Sequence, residues 1–515
     1  MHLRIDRLSF AYPDASTVLF DGFSSTFAQG WTGLIGDNGC GKTTLAKLTA
    51  GLLKPDSGTI SPKLFSAYCP QDSSVEPPDI FDLACDQAGR AMKLKKTLQI
   101  EDDWLWRFSQ LSGGQQKRIQ IACCLWAEPD LLVMDEPTND LDIESRALVG
   151  KALASYKGVG LLISHDRSLL DALVGQCLVF EQNAIVMRPG GYTKAFALAQ
   201  DEVDLALRER QQAKREVSRI REESVRRTEE ARRSKGRLSL RTADRHDASL
   251  RDKIGRARVT SKDGAAGRAA SSMSTRLKAA QAQLSATSVP KRYEYQFQMV
   301  GVPAPSKTVC HLRGSAIGQG DFSLAIPELW VGPTDHIGIV GRNGSGKSTL
   351  VRHVLGHVPD GIRVAYVPQE VDRQMRESVL LRFLDRSQKE RGEVLSHVAR
   401  LNSDPVRMMD GKETSPGEMR KLLIADALLE EPNVLILDEP TNHLDIASIQ
   451  ALQALLSSFA GAVVLVSHDA ALIQESCKEL WCLEEEGPER FRLTRTHGSD
   501  LRDPLPEPVD RVLAG

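Results

Sequence analysis

Gly36-Asp37-Asn38-Gly39-Cys40-Gly41-Lys42-Thr43 returns later in the same chain as Gly341-Arg342-Asn343-Gly344-Ser345-Gly346-Lys347-Ser348. Both copies read Gly, four residues, Gly-Lys and a hydroxyl residue. Glycines at these places let the backbone turn tightly and aim N–H groups at phosphate oxygens. Apolar stretches enter each loop, Leu34-Ile35 and Ile337-Gly338-Ile339-Val340. Leu45-Ala46-Lys47-Leu48 and Leu350-Val351 leave them. Strand, loop and helix are therefore predicted twice, with each helix dipole favouring the anion. Lys42 and Lys347 are placed for the β- and γ-phosphates, and Thr43 and Ser348 offer a hydroxyl to Mg2+.

The repetition extends well beyond the loops. Leu132-Val133-Met134-Asp135-Glu136-Pro137-Thr138-Asn139 matches Leu435-Ile436-Leu437-Asp438-Glu439-Pro440-Thr441-Asn442, and Ser164-His165-Asp166 matches Ser467-His468-Asp469. Ser112 and Ser415, Glu136 and Glu439, and His165 and His468 are each 303 positions apart; Lys42 and Lys347 are 305 apart. Landmarks held in register over that distance mark two copies of one unit of about 190 residues. The division expected is 1–196, first unit; 197–292, a linker of different composition; 293–486, second unit; 487–515, a short unstructured tail carrying Pro504, Pro506 and Pro508.

The whole chain has 515 residues, 41% apolar and 26% charged, which fits about three soluble domains and excludes a disordered or fibrous chain. No run reaches the roughly 18 apolar residues needed to span a bilayer. Met1–Tyr12 has acidic Asp6 and no apolar core, so a secretory signal is not expected. The nine cysteines are scattered without a C-x-x-C pair, which reads as reduced thiols in a cytoplasmic protein with no zinc site.

Leu131–Met134 and Val434–Leu437 have the length and composition of buried parallel strands. Each ends in Asp-Glu. Asp135 and Asp438 can hold Mg2+, and Glu136 and Glu439 can orient and deprotonate an attacking water.

Further residues give the pattern a family. Leu111-Ser112-Gly113-Gly114-Gln115-Gln116 resembles the signature motif of ABC ATPases and stands in that family's order, after the loop lysine and before Asp-Glu. Gln71 in Tyr68-Cys69-Pro70-Gln71 and Gln369 in Tyr366-Val367-Pro368-Gln369 resemble the Q-loop glutamines. His165 and His468 resemble the switch histidines, and Leu141-Asp142 and Leu444-Asp445 the D-loops. The fold implied is α/β: two P-loop ABC-type nucleotide-binding domains that pair head to tail within one monomeric chain. The resemblance implies two ATP molecules between the halves. One would be bound by Gly36, Asn38, Gly39, Gly41, Lys42, Thr43, Thr44, Gln71 and Tyr12, and closed by Ser415, Gly417 and Glu418. The other would be bound by Gly341, Asn343, Gly344, Gly346, Lys347, Ser348, Thr349 and Gln369, and closed by Ser112, Gly113, Gly114 and Gln115. Gln71 and Gln369 would join Thr43, Ser348, Asp135 and Asp438 around Mg2+, and the histidines would sense the γ-phosphate.

Three departures predict unequal sites. Pro416 replaces a signature glycine and removes an N–H. Asp140 stands where the second copy has His443. Tyr12 lies where the family stacks adenine, whereas the nearest candidate for that role before Lys347, Phe322, lies late for the task. Cys40 reads as a tolerated small residue whose alkylation would block the first site.

Residues 201–292 contain 24 Lys+Arg and 13 Asp+Glu, although the chain as a whole carries a net charge of −2. Val203, Ala206, Ala213, Val217, Ile220, Ser224 and Ala231 recur at 3-4 spacing, as do Met273, Leu277, Ala280 and Leu284. This predicts two long helices packed as an antiparallel coiled coil. The tip, Arg237–Arg268, is expected to break at Gly236, Gly255, Gly264 and Gly267. Its Arg237, Arg241, Arg245, Arg251, Lys253, Arg256, Arg258 and Lys262 suit phosphate-backbone contact. No aromatic residue lies between Phe196 and Tyr293, so recognition by charge and shape is expected rather than by stacking.

Tandem domains with such a linker, Asp438–Asp445 and Ser164–Arg167 resemble the ABC-F class. The resemblance implies ATP-driven engagement of ribosomes and tRNA through the linker, as a translation factor or in antibiotic-resistance ribosome protection. An ATPase on branched DNA, or the ATP-binding subunit of a separately encoded transporter, are the alternatives. The transporter reading predicts an exposed apolar groove. Only 41 positions separate Gln71 from Ser112, which leaves little room for the arm some ABC-F members carry.

Overall fold

A computed structural model of the chain describes residues 1–13, 18–139, 141–181, 184–237, 262–286, 300–320, 322–405 and 415–497. The chain divides into two compact units, Met1–Ala195 with Tyr293–Gly515, and Phe196–Arg292. The first unit holds both copies of the repeat.

In the first copy, six strands run in the order Ser66–Cys69, Leu131–Asp135, Val159–Ile163, Gly30–Gly36, Val174–Phe180 and Ile185–Pro189. All pair in parallel except the last, which is antiparallel. Leu131–Asp135 and Val159–Ile163 are buried along their whole length. That explains their unbroken apolar runs, since helices cover a parallel sheet on both faces. A second, antiparallel sheet orders Phe20–Ala28, His2–Phe10 and Ser57–Ser61. Its Leu3, Ile5, Leu8 and Phe27 pack with Leu34, Leu45 and Leu161 of the parallel sheet and its helix. The helix that follows the P-loop thus packs with residues of both sheets.

The second copy repeats the parallel core as Val364–Val367, Val434–Asp438, Ala462–Val466, His336–Gly341 and Glu479–Gly487. The sheet then continues through Arg490–His497, Phe322–Ile326 and Ser315–Gln319 to eight strands. This corrects the expected boundary at 486. Arg490–His497 is a strand, antiparallel to Glu479–Gly487 and parallel to Phe322–Ile326. Leu493 is buried in the core, and Arg495 Nε donates to Glu479 Oε1 at 2.7 Å. Glu479 is itself buried and also accepts from Trp481 Nε1 at 2.9 Å. The prolines that marked a tail begin only at Pro504, beyond the described residues.

The other unit contains most of a 46-residue helix, Tyr192–Arg237, and the 25-residue helix Lys262–Ala286. The first helix crosses the expected 196/197 boundary without a break. The seam positions are the sheltered ones. Val203, Ala206, Ala213, Val217, Ile220 and Ser224 are half-buried, as are Leu277, Ala280 and Leu284, and Met273 is buried. The helices include Gly236, Gly264 and Gly267, which were expected to break them. A glycine costs about 1 kcal/mol in a helix, and Ala265, Ala266, Ala269 and Ala270, the best helix formers, surround the latter two. Arg241, Arg245, Arg251, Lys253, Arg256 and Arg258 lie outside the described residues, as do the side chains of Arg237, Lys262 and Ala231.

Candidate active sites

Each P-loop turns on two glycines in the left-handed region: Gly39 and Gly41 at φ 79° and 104°, Gly344 and Gly346 at φ 82° and 94°. Side chains are disfavoured there, so the loop needs glycine. The helices Lys42–Thr49 and Lys347–Leu355 start at the loop ends. Lys42 Nζ donates to the Gly36 and Asp37 carbonyls at 2.8 and 2.9 Å, and Lys347 Nζ to those of Gly341 and Arg342 at 3.0 and 3.1 Å. Both ammonium groups therefore stand at the loop mouth.

The carboxylates arrive from the strand next to the neighbouring one. Asp135 and Asp438 close their strands and are buried. Burial pushes both above the usual carboxylate range, while hydrogen bonds from Tyr68 and Thr43 oppose this at Asp135 and one from Ser348 at Asp438. Among the described residues Asp135 Oδ1 and Asp438 Oδ1 have no hydrogen-bond partner. A buried, unpaired carboxylate oxygen beside a P-loop hydroxyl is a donor set that fits a small divalent cation. Gln71 and Gln369 are exposed at the ends of Ser66–Cys69 and Val364–Val367.

Glu136 and Glu439 both take positive φ, 49° and 47°, which is uncommon for a residue with a Cβ and marks a strained functional turn. The turn directs each carboxylate at its histidine. His165 N donates to Glu136 Oε2 at 3.2 Å, and His165 Nε2 lies 3.2 Å from Oε1. The second site repeats this at 3.3 Å and 3.3 Å with His468 and Glu439. His468 Nε2 also lies 3.3 Å from Lys347 Nζ and 3.2 Å from Asn343 Oδ1. Burial pushes Glu439 up to about 7 against the pull of Lys347 and Arg146. Burial and the same two cations hold His468 well below its usual value.

A cavity of about 480 Å³ opens here, lined in part by Asn343, Lys347, Ser348, Gln369, Glu439 and His468. Gly344, Gly346 and Thr349 also line it, with Arg146 of the other half. Phe322 belongs to this wall. A Cβ on Gly346 would meet its ring at 2.5 Å. In the first site Leu19 takes that place against Gly41, and Tyr12 stands apart, its OH 3.0 Å from Thr44 Oγ1. The reason is hairpin length. Nine residues separate His2–Phe10 from Phe20–Ala28, but two separate Ser315–Gln319 from Phe322–Ile326.

Ser112 and Ser415 cap the helices Gly113–Trp126 and Pro416–Leu429. Each bonds reciprocally with the residue three on, Gln115 or Glu418. That reciprocity satisfies helix-end donors and fixes the signature turn. Pro416 takes the first helical position, where a missing N–H costs the fold nothing. Buried cations in the same helices hold the Q-loops. Lys117 Nζ donates to the Pro70 and Gln71 carbonyls at 2.6 and 3.0 Å, and Arg420 donates to the carbonyl of Gln369. These residues were legible as a repeat, 303 positions apart, but carry no motif.

The halves meet through their D-loops. Asn343 N donates to Asp142 Oδ2 at 3.1 Å and Asn38 N to Asp445 Oδ2 at 3.3 Å. Asn38 Nδ2 also donates to the His443 carbonyl at 3.0 Å. Each P-loop is thus held by the other half's D-loop. Beyond that the two contacts differ: Asn402 reaches Asp37 at 3.3 Å in one, and Glu144 pairs with Arg342 at 3.2 Å in the other. Asp140 is outside the described residues.

The pattern of the ABC transporter family matches residues 20–139 and again 327–442. Ribosome protection protein VmlR of Bacillus subtilis is 27% identical over 89% of this chain and 82% of its own length. Energy-dependent translational throttle protein EttA of Escherichia coli K12 is 28% identical over 91% and 89%. The chain belongs to the ABC-F class of tandem ABC ATPases. As an ABC-F ATPase it binds and hydrolyses ATP. The same fold is seen in the archaeal ribosome recycling factor aABCE1, solved with a ribosomal stalk protein: TM-score 0.62 at 20% identity, covering 99% of this chain and 92% of that one. Among the described residues no helix of this ABC-F protein is long and apolar enough to cross a membrane.

Proposed function

We propose that this ABC-F ATPase works on ribosomes in the cytoplasm as a monomer, as a translation factor or ribosome protector. The observation that carries this is the class itself: relatives matched over 82% and 89% of their length are named for ribosome protection and for translational throttling. ATP at the two P-loops would draw the halves together across the D-loop contacts, and hydrolysis would let them part. Closure would set the basic linker against RNA, with its arginines and lysines meeting phosphates.

In each site Thr43 or Ser348, Asp135 or Asp438, and Gln71 or Gln369 would hold Mg2+. The ion would neutralise charge on the phosphates. The unpaired oxygens of Asp135 and Asp438 support this donor set. Glu136 and Glu439 would orient the attacking water, and His165 and His468 would hold the glutamates in place. Ser112 with Gly113 and Gly114, and Ser415 with Gly417, would close on the opposite nucleotide.

One observation favours the transporter reading. Phe81 and Trp106 are exposed with rings 5.5 Å apart, and Leu381 and Leu384 are exposed in the second half. The first pair lies among acidic residues, Asp79, Asp82 and Asp103, and the domains are already fused through a basic linker. Both features suit a ribosomal partner better.

The test is ribosome co-sedimentation of the Glu136→Gln/Glu439→Gln double variant with ATP at physiological salt. The expected result is ATP-dependent pelleting that is lost when 237–268 are deleted. No pelleting in either nucleotide state would overturn the ribosome reading; pelleting with DNA or with membrane vesicles instead would name its replacement.

A further inference from the structure

The repeat is broken at two charged positions on the face where the halves meet, Glu144 and Arg146. Asp142-Ile143-Glu144-Ser145-Arg146 aligns with Asp445-Ile446-Ala447-Ser448-Ile449. Both segments begin a helix capped by the D-loop aspartate, which accepts from Ser145 N or Ser448 N. One turn in, the two part. Ile449 is buried in the hydrophobic core of its own half. Arg146 instead lines the cavity of the second site together with Lys347, Glu439 and His468.

Its guanidinium is held from both sides. Nε donates to the Leu141 carbonyl at 3.0 Å, which fixes the side chain along its own D-loop. Nη1 lies 3.5 Å from the His468 carbonyl of the other half and 3.6 Å from Asp166 Oδ2. Asp166 follows His165 directly and caps the next helix of the first half. One arginine therefore reaches the main chain of the second site's histidine and the residue beside the first site's histidine. The side chain is 20% exposed, so its charge is poorly screened by water.

We propose that Arg146 is a positioning residue supplied by the first half to the second site, where it holds the His468 segment and brings a cation to the phosphate end of the cavity. Among the described residues the first site has no arginine in the matching place, where Ile449 stands. Phosphoryl transfer gathers charge on the transferring group, and an arginine delivered by another domain is a strong means of stabilising it. Anchoring on Asp166 ties that arginine to the first site's switch segment. Hydrolysis at the second site then depends on the halves being docked, whereas Ile449, at the matching position, brings no arginine to the first.

This rests on Lys347, Glu439 and His468 forming the second hydrolytic site, which the Lys42→Ala chain isolates. In that background kcat and KM are measured for Arg146→Ile, Arg146→Lys and Glu439→Gln. Arg146→Ile lowers kcat about tenfold or more while KM stays within about threefold, and Arg146→Lys recovers at least part of kcat. Arg146→Ile costs less in the Lys347→Ala chain, where the first site alone remains. The proposal is overturned by a kcat within about twofold of the parent, by a KM that rises in step with the loss of kcat, by equal losses in both backgrounds, or by a lysine no better than isoleucine. Glu439→Gln separates the premises. If it abolishes turnover and Arg146→Ile does not, the role of Arg146 falls alone. If it leaves turnover unchanged, the assignment of the second site falls first.

Discussion

The first and second ATP sites share their backbone and differ where the opposite half meets them. At the first, the P-loop residue is Asp37, and the other half brings Asn402 and Lys421. At the second it is Arg342, which meets Glu144 of the other half and Glu485 of its own. The P-loop charge is reversed, and Glu144 pairs with Arg342 where Asn402 reaches Asp37, while Arg118 stands near Arg342 as Lys421 stands near Asp37. What stays the same is what the nucleotide demands, the lysines, Asp-Glu pairs and histidines. Two copies in one chain face two different partners, so each contact can specialise. Arg146 opposite Ile449 is the extreme case.

The largest expected effect tests which site dominates. Glu439→Gln removes the carboxylate of the site lined by Arg146, on which the Ser112-Gly113-Gly114 signature would close. Glu136→Gln removes that of the site on which the Pro416 signature would close. A general base is worth about 10² to 10⁴ in rate. Steady-state hydrolysis is expected to fall about tenfold further for Glu439→Gln than for Glu136→Gln. Equal losses would break the comparison and make the two sites interchangeable.

The second prediction tests the asymmetry of the sheets. The first half ends its sheet at Ile185–Pro189, where Arg188 pairs with Glu181 at 2.6 Å. The second half ends with a hairpin that joins through Arg490–His497. Cutting the chain after Glu486 removes Leu493 from the core and the Arg495 partner of buried Glu479. Stripping a buried charge of its partner costs about 3–5 kcal/mol, and losing a core leucine about 2–5 kcal/mol. The second half is expected to unfold at lower temperature in calorimetry while the first half's transition stays. The single variant Leu493→Ala gives the smaller form of the same loss.

Much of this was legible from the repeat. The two parallel cores, the strands carrying Asp135 and Asp438, and the long helices with their 3-4 seams all follow from apolar spacing. The last strand was not, although Phe491 and Leu493 alternate with Arg490, Arg492 and Thr494. The acidic run from Glu484 to Glu489 and Pro488 hid it, because a composition boundary was taken for a structural one. Phe322 looked late because distance was counted along the chain, and the hairpin that carries it is shorter than the first. Arg146 carried no signal for a different reason. A repeat shows what both copies keep, and Arg146 stands where the other copy has Ile449, whereas Lys421 matches the cation Arg118, 303 positions earlier.

Pro416→Gly sharpens the comparison from the other direction. It returns a backbone N–H to the signature that would close on the first site, at the helical position where proline is most comfortable. One hydrogen bond to a charged group is worth about 1.5–3 kcal/mol, less the flexibility glycine adds. ATP-dependent association at the first site, followed in the Lys347→Ala chain, is expected to tighten by a few fold, with a slightly lower melting temperature. No tightening would mean that the proline's missing donor was never used.

The smallest effect concerns Cys40, which Ser345 replaces in the second loop. Cys40 is half-buried, and a Cβ on Gly36 would stand 2.9 Å from its sulfur. Burial pushes the thiol above its ordinary value, and Lys42 pulls it back only in part. Thiolate is the reactive form, so a raised value means less of it at neutral pH and a reaction that gains about tenfold per pH unit until the group ionises. Exposed Cys85 is therefore expected to label first with a maleimide at pH 7, with Cys40 following only as pH rises. When Cys40 does react, the adduct sits against Lys42 and should abolish ATP binding at the first site while the second, with Ser345, binds as before. Peptide mass mapping against ATP binding over pH 7 to 9.5 reads both. Cys40 labelling as fast as Cys85 at pH 7 would show a looser loop than this packing allows. Labelled Cys40 with intact ATP binding at both sites would remove the cysteine from the site altogether.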